Sequence, residues 1–217
     1  MKTYLLSDLV KEVKVILDEN QSSIPLLDAG DVDTLSLNEI IAYNIPIAAE
    51  VVENEAPSRK LGSGEALATS ISWEAGKVGI GRGVVVLPPD FLRLVCFQMS
   101  DWERPVTECI TDQHPKYAQQ FSRNAGLRGS PQSPVVAICN MPAGTVLEFF
   151  SCEAGEDVRV SRARYIPKPV ITEKHEIRMC KQLKRSIMYY AAYLVEQICG
   201  DKERSKVYLQ TATDLAK

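Results

Sequence analysis

Few residues in this chain have types and spacings that could do chemistry. Cys109 and His114 stand five positions apart, as a thiol nucleophile and its base might be spaced. A hydrolase built on them also needs an orienting Asn or Asp and an oxyanion hole, and no spacing marks either. The remaining cysteines, at 96, 139, 152, 180 and 199, form no Cys-x-x-Cys pair, and the only histidines are His114 and His175. A zinc site needs paired short spacings, so none is expected. An even cysteine count allows disulfides. However, Cys96, Cys139, Cys180 and Cys199 lie inside apolar runs, where thiols act as small buried hydrophobes. Carboxylates are plentiful, but no two share an apolar context that would tune them for acid–base work. His175, in "EKHEIR", is expected at an exposed helix start.

The glycines of "GIGRG" (79–83) do not make a nucleotide site. A dinucleotide fingerprint needs G-x-G-x-x-G opening a helix. This run is G-x-G-x-G and continues into "VVVLP", which reads as a glycine-loosened strand or hairpin. No phosphate-loop motif is present. The basic residues are more suggestive. Arg159, Arg162, Arg164 and Lys168 are spaced nearly in twos, which puts many of them on one face of a strand. Such a row binds a nucleic-acid backbone, meets the acidic surface of a neighbour, or is simply solvated. Only Tyr165 interleaves an aromatic ring, too few for a base-stacking platform. No catalytic residue, cofactor or metal is expected.

The chain has 217 residues, 45% apolar and 24% charged, enough for one large domain or two small ones. A net charge of −3 gives no overall sign of a nucleic-acid binder. Its distribution is uneven. Residues 1–60 carry five Lys/Arg against eleven Asp/Glu, and residues 159–185 carry nine Lys/Arg against two Glu. These blocks are either partner surfaces for identical copies or two solvated faces. The start, "MKTYLLSDLVKEVK", lacks the apolar stretch and cleavage site of a signal peptide. No apolar run nears the ~18 residues of a membrane span. An intracellular, reduced protein is the expectation.

The elements must then position this arginine row. Leu6, Leu9, Val10, Val13, Ile16 and Leu17 share one face of a first helix. A polar loop with Pro25 and Gly30 follows, and Ser36 and Glu39 form a capping box opening a second helix. Pro46 inside it predicts a kink or two short helices. Residues 67–170 hold short β-branched and aromatic segments punctuated by Gly and Pro, from "ATSISWE" to "DVRVSRARYIP". They predict an antiparallel sandwich or barrel-like domain, interrupted by a long polar loop at 111–134. From 171 the chain returns to helix, with Met179, Cys180, Leu183, Ile187, Ala191 and Val195 on its apolar face. Gly200 then caps its end and Asp201 opens a last helix. The expected fold is α+β: a helical part at 1–66, a β domain at 67–170 and a helical hairpin at 171–217 packing on the first helices.

The run "LPPDFLRLVCFQMSDWERPV" (87–106), with helices before it and further strands and "IMYYAAYLVEQICGDKERSKVYLQTATDLA" after it, resembles head–tail connector proteins of tailed bacteriophages. These are also called head-completion, adaptor or ring proteins. The likeness rests on Leu87, Pro88, Asp90, Phe91, Arg93 and Leu94, then Trp102, and on Ala191, Ala192, Gly200 and Asp201 near the end. The style is closest to that of crAss-like phages. The 111–134 loop departs from the pattern and is either an arm touching a neighbouring protein or an unconstrained surface loop. The resemblance implies a virion protein assembled in the host cytoplasm, with no enzymatic activity. It implies a homo-oligomeric ring, a dodecamer, beneath the portal, touching other connector or tail proteins and lying near genomic DNA. Candidate interface residues are Trp102, Arg104, Arg123, Arg128, Arg159, Arg162 and Arg164, with Trp102 either an anchor or local core.

Overall fold

In the computed structural model, which describes residues 1–17, 36–68, 70–74, 81–142, 144–152, 158–199 and 202–217, the capping box forms as the sequence predicts. The Glu39 amide donates to Ser36 Oγ (3.4 Å) and the Ser36 amide donates to Glu39 Oε2 (2.7 Å). The elements are β1 (Lys2–Leu5), α1 (Leu6–Ile16), α2 (Leu37–Glu55), β2 (Glu65–Ala66), β3 (Ile71–Glu74), β4 (Gly81–Val86), β5 (Phe91–Met99), β6 (Ile110–Thr111), α3 (Pro115–Gln119), β7 (Val136–Met141), β8 (Gly144–Cys152), β9 (Val160–Pro167), β10 (Glu176–Met179), α4 (Lys184–Cys199) and α5 (Lys202–Ala216). The fold is α+β. The expected loop at Pro25 and Gly30, the start of the glycine cluster and the Gly200–Asp201 caps lie outside the described residues.

The chain forms two compact units. One comprises Met1–Gly62 with Lys168–Lys217, the other Ser63–Pro167. In the first, α1, α2, α4 and α5 pack around Leu9, Val13, Ile41, Ile45, Ala48, Ile187, Ala191 and Val195, all buried. The small residues Ala48, Ala49, Ala191 and Ala192 let the helix backbones approach closely. A two-stranded antiparallel sheet, β1 with β10, closes this unit, pairing Lys2 with Met179 and Leu5 with Glu176.

Here the structure corrects several expectations. Residues 2–5 and 176–179 pair as strands, so Met179 belongs to β10 and the helix begins only at Lys184. His175 sits in a turn with φ 55°, not at a helix start, and its carbonyl accepts the Leu6 amide (2.9 Å). Of the two outcomes expected at Pro46, two short helices are excluded, since α2 runs unbroken from Leu37 to Glu55. A proline costs one main-chain hydrogen bond, and burial of Ile41, Ile45, Ala48, Ala49 and Val52 outweighs that loss.

The second unit is a sandwich of a three-stranded sheet, β2–β9–β5, and a five-stranded sheet, β3–β4–β8–β7–β6. Neither closes into a barrel. All pairings are antiparallel except β6 with β7, which is parallel. Inward side chains of both sheets share one core, with Val85, Leu94, Phe97, Met99, Trp102, Leu147, Phe149 and Tyr165 among its members. Gly83 is required there. A Cβ at this position would lie 2.1 Å from the Phe149 ring, so a bare backbone lets the aromatic side chain lie across β4. The register of β4 against β8 shifts between Gly81 and Gly83, so the glycine cluster is a bulged strand.

The loop expected at 111–134 has structure of its own. It carries α3 and a 3₁₀ turn at Ala125–Leu127, and the Ser130 and Ser133 backbones bond to each other. Pro88–Phe91 forms the tight turn foreseen at the double proline, with the Phe91 amide donating to the Pro88 carbonyl (3.0 Å).

Candidate functional site

The site is built on β9, the central strand of the three-stranded sheet. Its register places Ala163 opposite Phe97 and Tyr165 opposite Leu94 on the core face. Arg162 and Arg164 therefore point away from the core, opposite Gln98 and Cys96. The register shifts between Gln98 and Met99, which brings Val160 back to the core side and leaves Arg159 and Ser161 exposed. That bulge explains why the arginine spacing is only nearly period two. Backbone bonds lock the end of the strand: Ser100 donates its amide to the Arg159 carbonyl (2.8 Å), and the Arg159 amide donates to Ser100 Oγ (3.1 Å).

Arg159, Arg162 and Arg164 are all exposed. Arg164 donates to the carbonyls of Ser63 (3.3 Å) and Gly64 (3.4 Å), which holds its guanidinium at the β2 side. Among the described residues no carboxylate pairs with any of the three. Lys168 is exposed too, but it and the rest of the basic block, including Lys174, Arg178, Lys181, Lys184 and Arg185, belong to the helical unit. The charge block seen in the sequence is thus divided between two units.

Opposite charges also meet inside the helical unit. Lys184 forms an ion pair with Glu12, and its ammonium lies 5.0 Å from the Tyr4 ring centroid. Asp8 is bonded to Lys11 (3.4 Å), and Glu39 is held in the capping box. Glu53 is fully buried and accepts the Cys180 amide. Burial raises the Glu53 carboxyl above its ordinary range, against the pull of the Cys180 hydrogen bonds. The Cys180 thiol donates to the Leu61 carbonyl (3.1 Å), and burial, helped by Glu53, pushes it up to about 12.

The remaining interface candidates separate. Trp102 is 4% exposed. Its indole N–H donates to the Ser151 carbonyl (3.1 Å), and its ring meets Phe97 and Phe149 edge-on at 5.8 and 6.3 Å. It is a core residue of the sandwich and not a surface anchor, because an aromatic ring with a satisfied N–H gains most from full burial. Arg104 and Arg123 are exposed, and Arg104 reaches Ser133 Oγ at 3.4 Å. Arg128 is half-buried with its Nε enclosed. These three sit outside β9, so the row consists of Arg159, Arg162 and Arg164 alone. Tyr165 Oη donates to the Asp90 carboxylate (3.3 Å), and Phe91 stacks on Tyr165 at 5.8 Å.

Cys109 and His114 do line one shallow cleft, with Glu108, Lys116 and Val135. Burial pushes the Cys109 thiol up to about 12, so the thiolate needed for attack is suppressed at neutral pH. His114 Nδ1 accepts the Lys116 amide (3.1 Å) as the cap of α3, so that nitrogen serves the backbone. The pair is not arranged as nucleophile and base.

One buried polar cluster escaped the sequence reading. Glu148 is fully buried in β8, ion-paired with Arg82 of β4, and accepts Tyr117 Oη at 2.8 Å. The Cys139 thiol donates to the same carboxylate (3.5 Å), and the Arg82 guanidinium lies 5.4 Å from the Phe121 ring centroid. Tyr117 and Phe121 in turn pack edge-on against Phe150. The cluster pins the 111–134 segment to the five-stranded sheet. Its signal in the sequence was a lone acid inside "VLEFF". A carboxylate there is buried only with partners.

Among the described residues no group of His, Cys, Asp and Glu is placed to hold a metal ion, and no helix is long and apolar enough to cross a membrane. Compared with known proteins, the chain matches no family model and no curated sequence.

Proposed function

We propose that this chain is a structural subunit of a tailed-phage head–tail connector, repeating head to tail in a ring that joins the portal to the tail and surrounds the exiting DNA. The observation that carries the reading is the β9 row. Arg162 and Arg164 on β9, with Arg159 just before its start, face outward without a carboxylate partner among the described residues. β9 is paired with β5 along its length and with β2 at Arg164 and Tyr165, so the row meets a partner at little conformational cost. Burial of the Cys109 thiol and the capping role of His114 Nδ1 speak against that pair as nucleophile and base. The likeness of the 87–106 run and the closing helices to connector proteins supplies the setting. Cryo-electron microscopy of assembled particles tests it. Density for a ring of this chain between portal and tail is the expected result, and particles whose connector lacks the chain would overturn it.

The same row favours a second reading, a module that binds nucleic-acid backbone. Three phosphate contacts would give a log–log salt slope of about −2.7. Duplex binding by the isolated chain with that slope, lost in the variant with Arg159, Arg162 and Arg164 all changed to Ala, would favour it over a protein contact. Absence of binding at low salt would remove it.

A further inference from the structure

The outward face of α2 carries the complementary half of such a contact. Tyr43 is 70% exposed and Ile47, one turn on, is 39% exposed, with Ile40 half-buried one turn before. These positions follow three- and four-residue steps, so they form one stripe on the helix. Glu39, Glu50 and Glu55 flank it, all three exposed, and α2 contains no Lys or Arg. Conversely β9 contains no Asp or Glu, and it carries Arg162 and Arg164, with Arg159 just before its first residue. An acidic helix face bearing an exposed tyrosine and an acid-free strand with this arginine row are complementary in charge and in chemistry. Arginine stacks on tyrosine while its N–H groups reach flanking carboxylates.

We propose that the α2 stripe of one copy receives the β9 arginine row of a second copy, with Tyr43 packed against a guanidinium and Glu50 and Glu55 paired with the others. This rests on the ring reading above and names its contact. The surfaces differ, so the interface is heterologous. Each copy offers its α2 to one neighbour and its β9 to the next, and such a contact closes into a ring or continues as a filament. Like faces repel, so α2 does not meet α2 and β9 does not meet β9. Tyrosine and arginine are the residue types that dominate interface energies.

Sedimentation velocity on the purified full chain, at low and at raised salt, reads the contact. Two charge-reversed variants are needed, Glu50→Lys/Glu55→Lys and Arg162→Glu/Arg164→Glu. Wild-type chain is expected to self-associate at low salt and to dissociate as salt screens the charges. Each variant alone is expected to associate at least about tenfold more weakly, because like charges then face each other. An equimolar mixture of the two restores both contacts in alternation and is expected to associate like wild type. Tyr43→Ala should weaken wild-type association by about tenfold. Circular dichroism of each variant confirms folding, and the rescue by mixing cannot arise from misfolded chains. Association that survives both reversals overturns this contact while leaving the ring reading standing. Wild type that stays monomeric at low salt, or a mixture that fails to associate, also overturns it. The connector reading fails separately, by absence of the chain from the particle's ring.

Discussion

Arg82 and Arg162 stand in the two sheets of one sandwich, and their surroundings have little in common. Arg82 lies against the buried carboxylate of Glu148, with the Phe121 ring beside its guanidinium. Arg162 points outward from β9 beside Arg159 and Arg164, without a carboxylate among the described residues. The first arrangement meets the cost of desolvating two charges with a direct ion pair and a tyrosine hydrogen bond. The second leaves three like charges exposed, bonded among the described residues only where Arg164 reaches the Ser63 and Gly64 carbonyls, which adds little to the stability of the chain. An arginine that the fold uses is enclosed with its partner, and a row that the fold does not use is available to something else.

Removing the partner should break the first arrangement most severely. Glu148→Ala strands the Arg82 guanidinium and the Tyr117 hydroxyl, and should lower the unfolding free energy by about 3–5 kcal/mol. Urea denaturation measures the loss. Limited proteolysis should show new cleavage between 111 and 134, since that segment loses its anchor. Preserved stability would mean that the cluster is incidental. Trp102→Phe comes next. The ring is retained in part, but the Ser151 carbonyl loses its donor, for a cost of about 1–3 kcal/mol. Had Trp102 served as a surface anchor, the change would leave stability untouched and weaken association instead. Gly83→Ala is expected to cost a similar ~1–3 kcal/mol through collision with Phe149.

The pH dependence gives a subtler test. Burial holds the Glu53 carboxyl above its unfolded value. Its contribution to stability is therefore fully present below the unfolded carboxylate pKa and is lost as pH rises through the folded one. Unfolding free energy measured against pH should fall across that window in wild type, and the Glu53→Gln variant should show a flatter profile. An identical slope in the two proteins would place the dependence elsewhere.

Much of this was legible in the sequence because the signals are local. The Ser36–Glu39 box, the β-branched segments that became β4, β5, β7, β8 and β9, and the Pro88–Phe91 turn each depend on neighbours along the chain. What was missed depends on distant partners. Lys2–Leu5 is a strand only because Glu176–Met179 lies beside it. Trp102, open in the sequence between anchor and local core, folds back onto Phe97 and Phe149, contacts that no spacing along the chain decides. Asp90 accepts from Tyr165, a partner 75 positions away that no local pattern names. The arginine row was visible as a spacing, but the absence of a carboxylate beside it among the described residues was not. The division of the basic block between two units was equally hidden, since charge counts along a chain carry no information about which domain each residue joins.

The smallest expected effect on stability is also the most telling. The central claim is that the β9 arginines serve contact with another molecule and not the fold. Arg162→Glu/Arg164→Glu tests it directly when thermal unfolding and self-association are read on the same sample. Stability should stay within about 0.5 kcal/mol of wild type, as for surface substitutions, while association at low salt is lost. A variant that unfolds several degrees lower, or one that still associates like wild type, would contradict the claim.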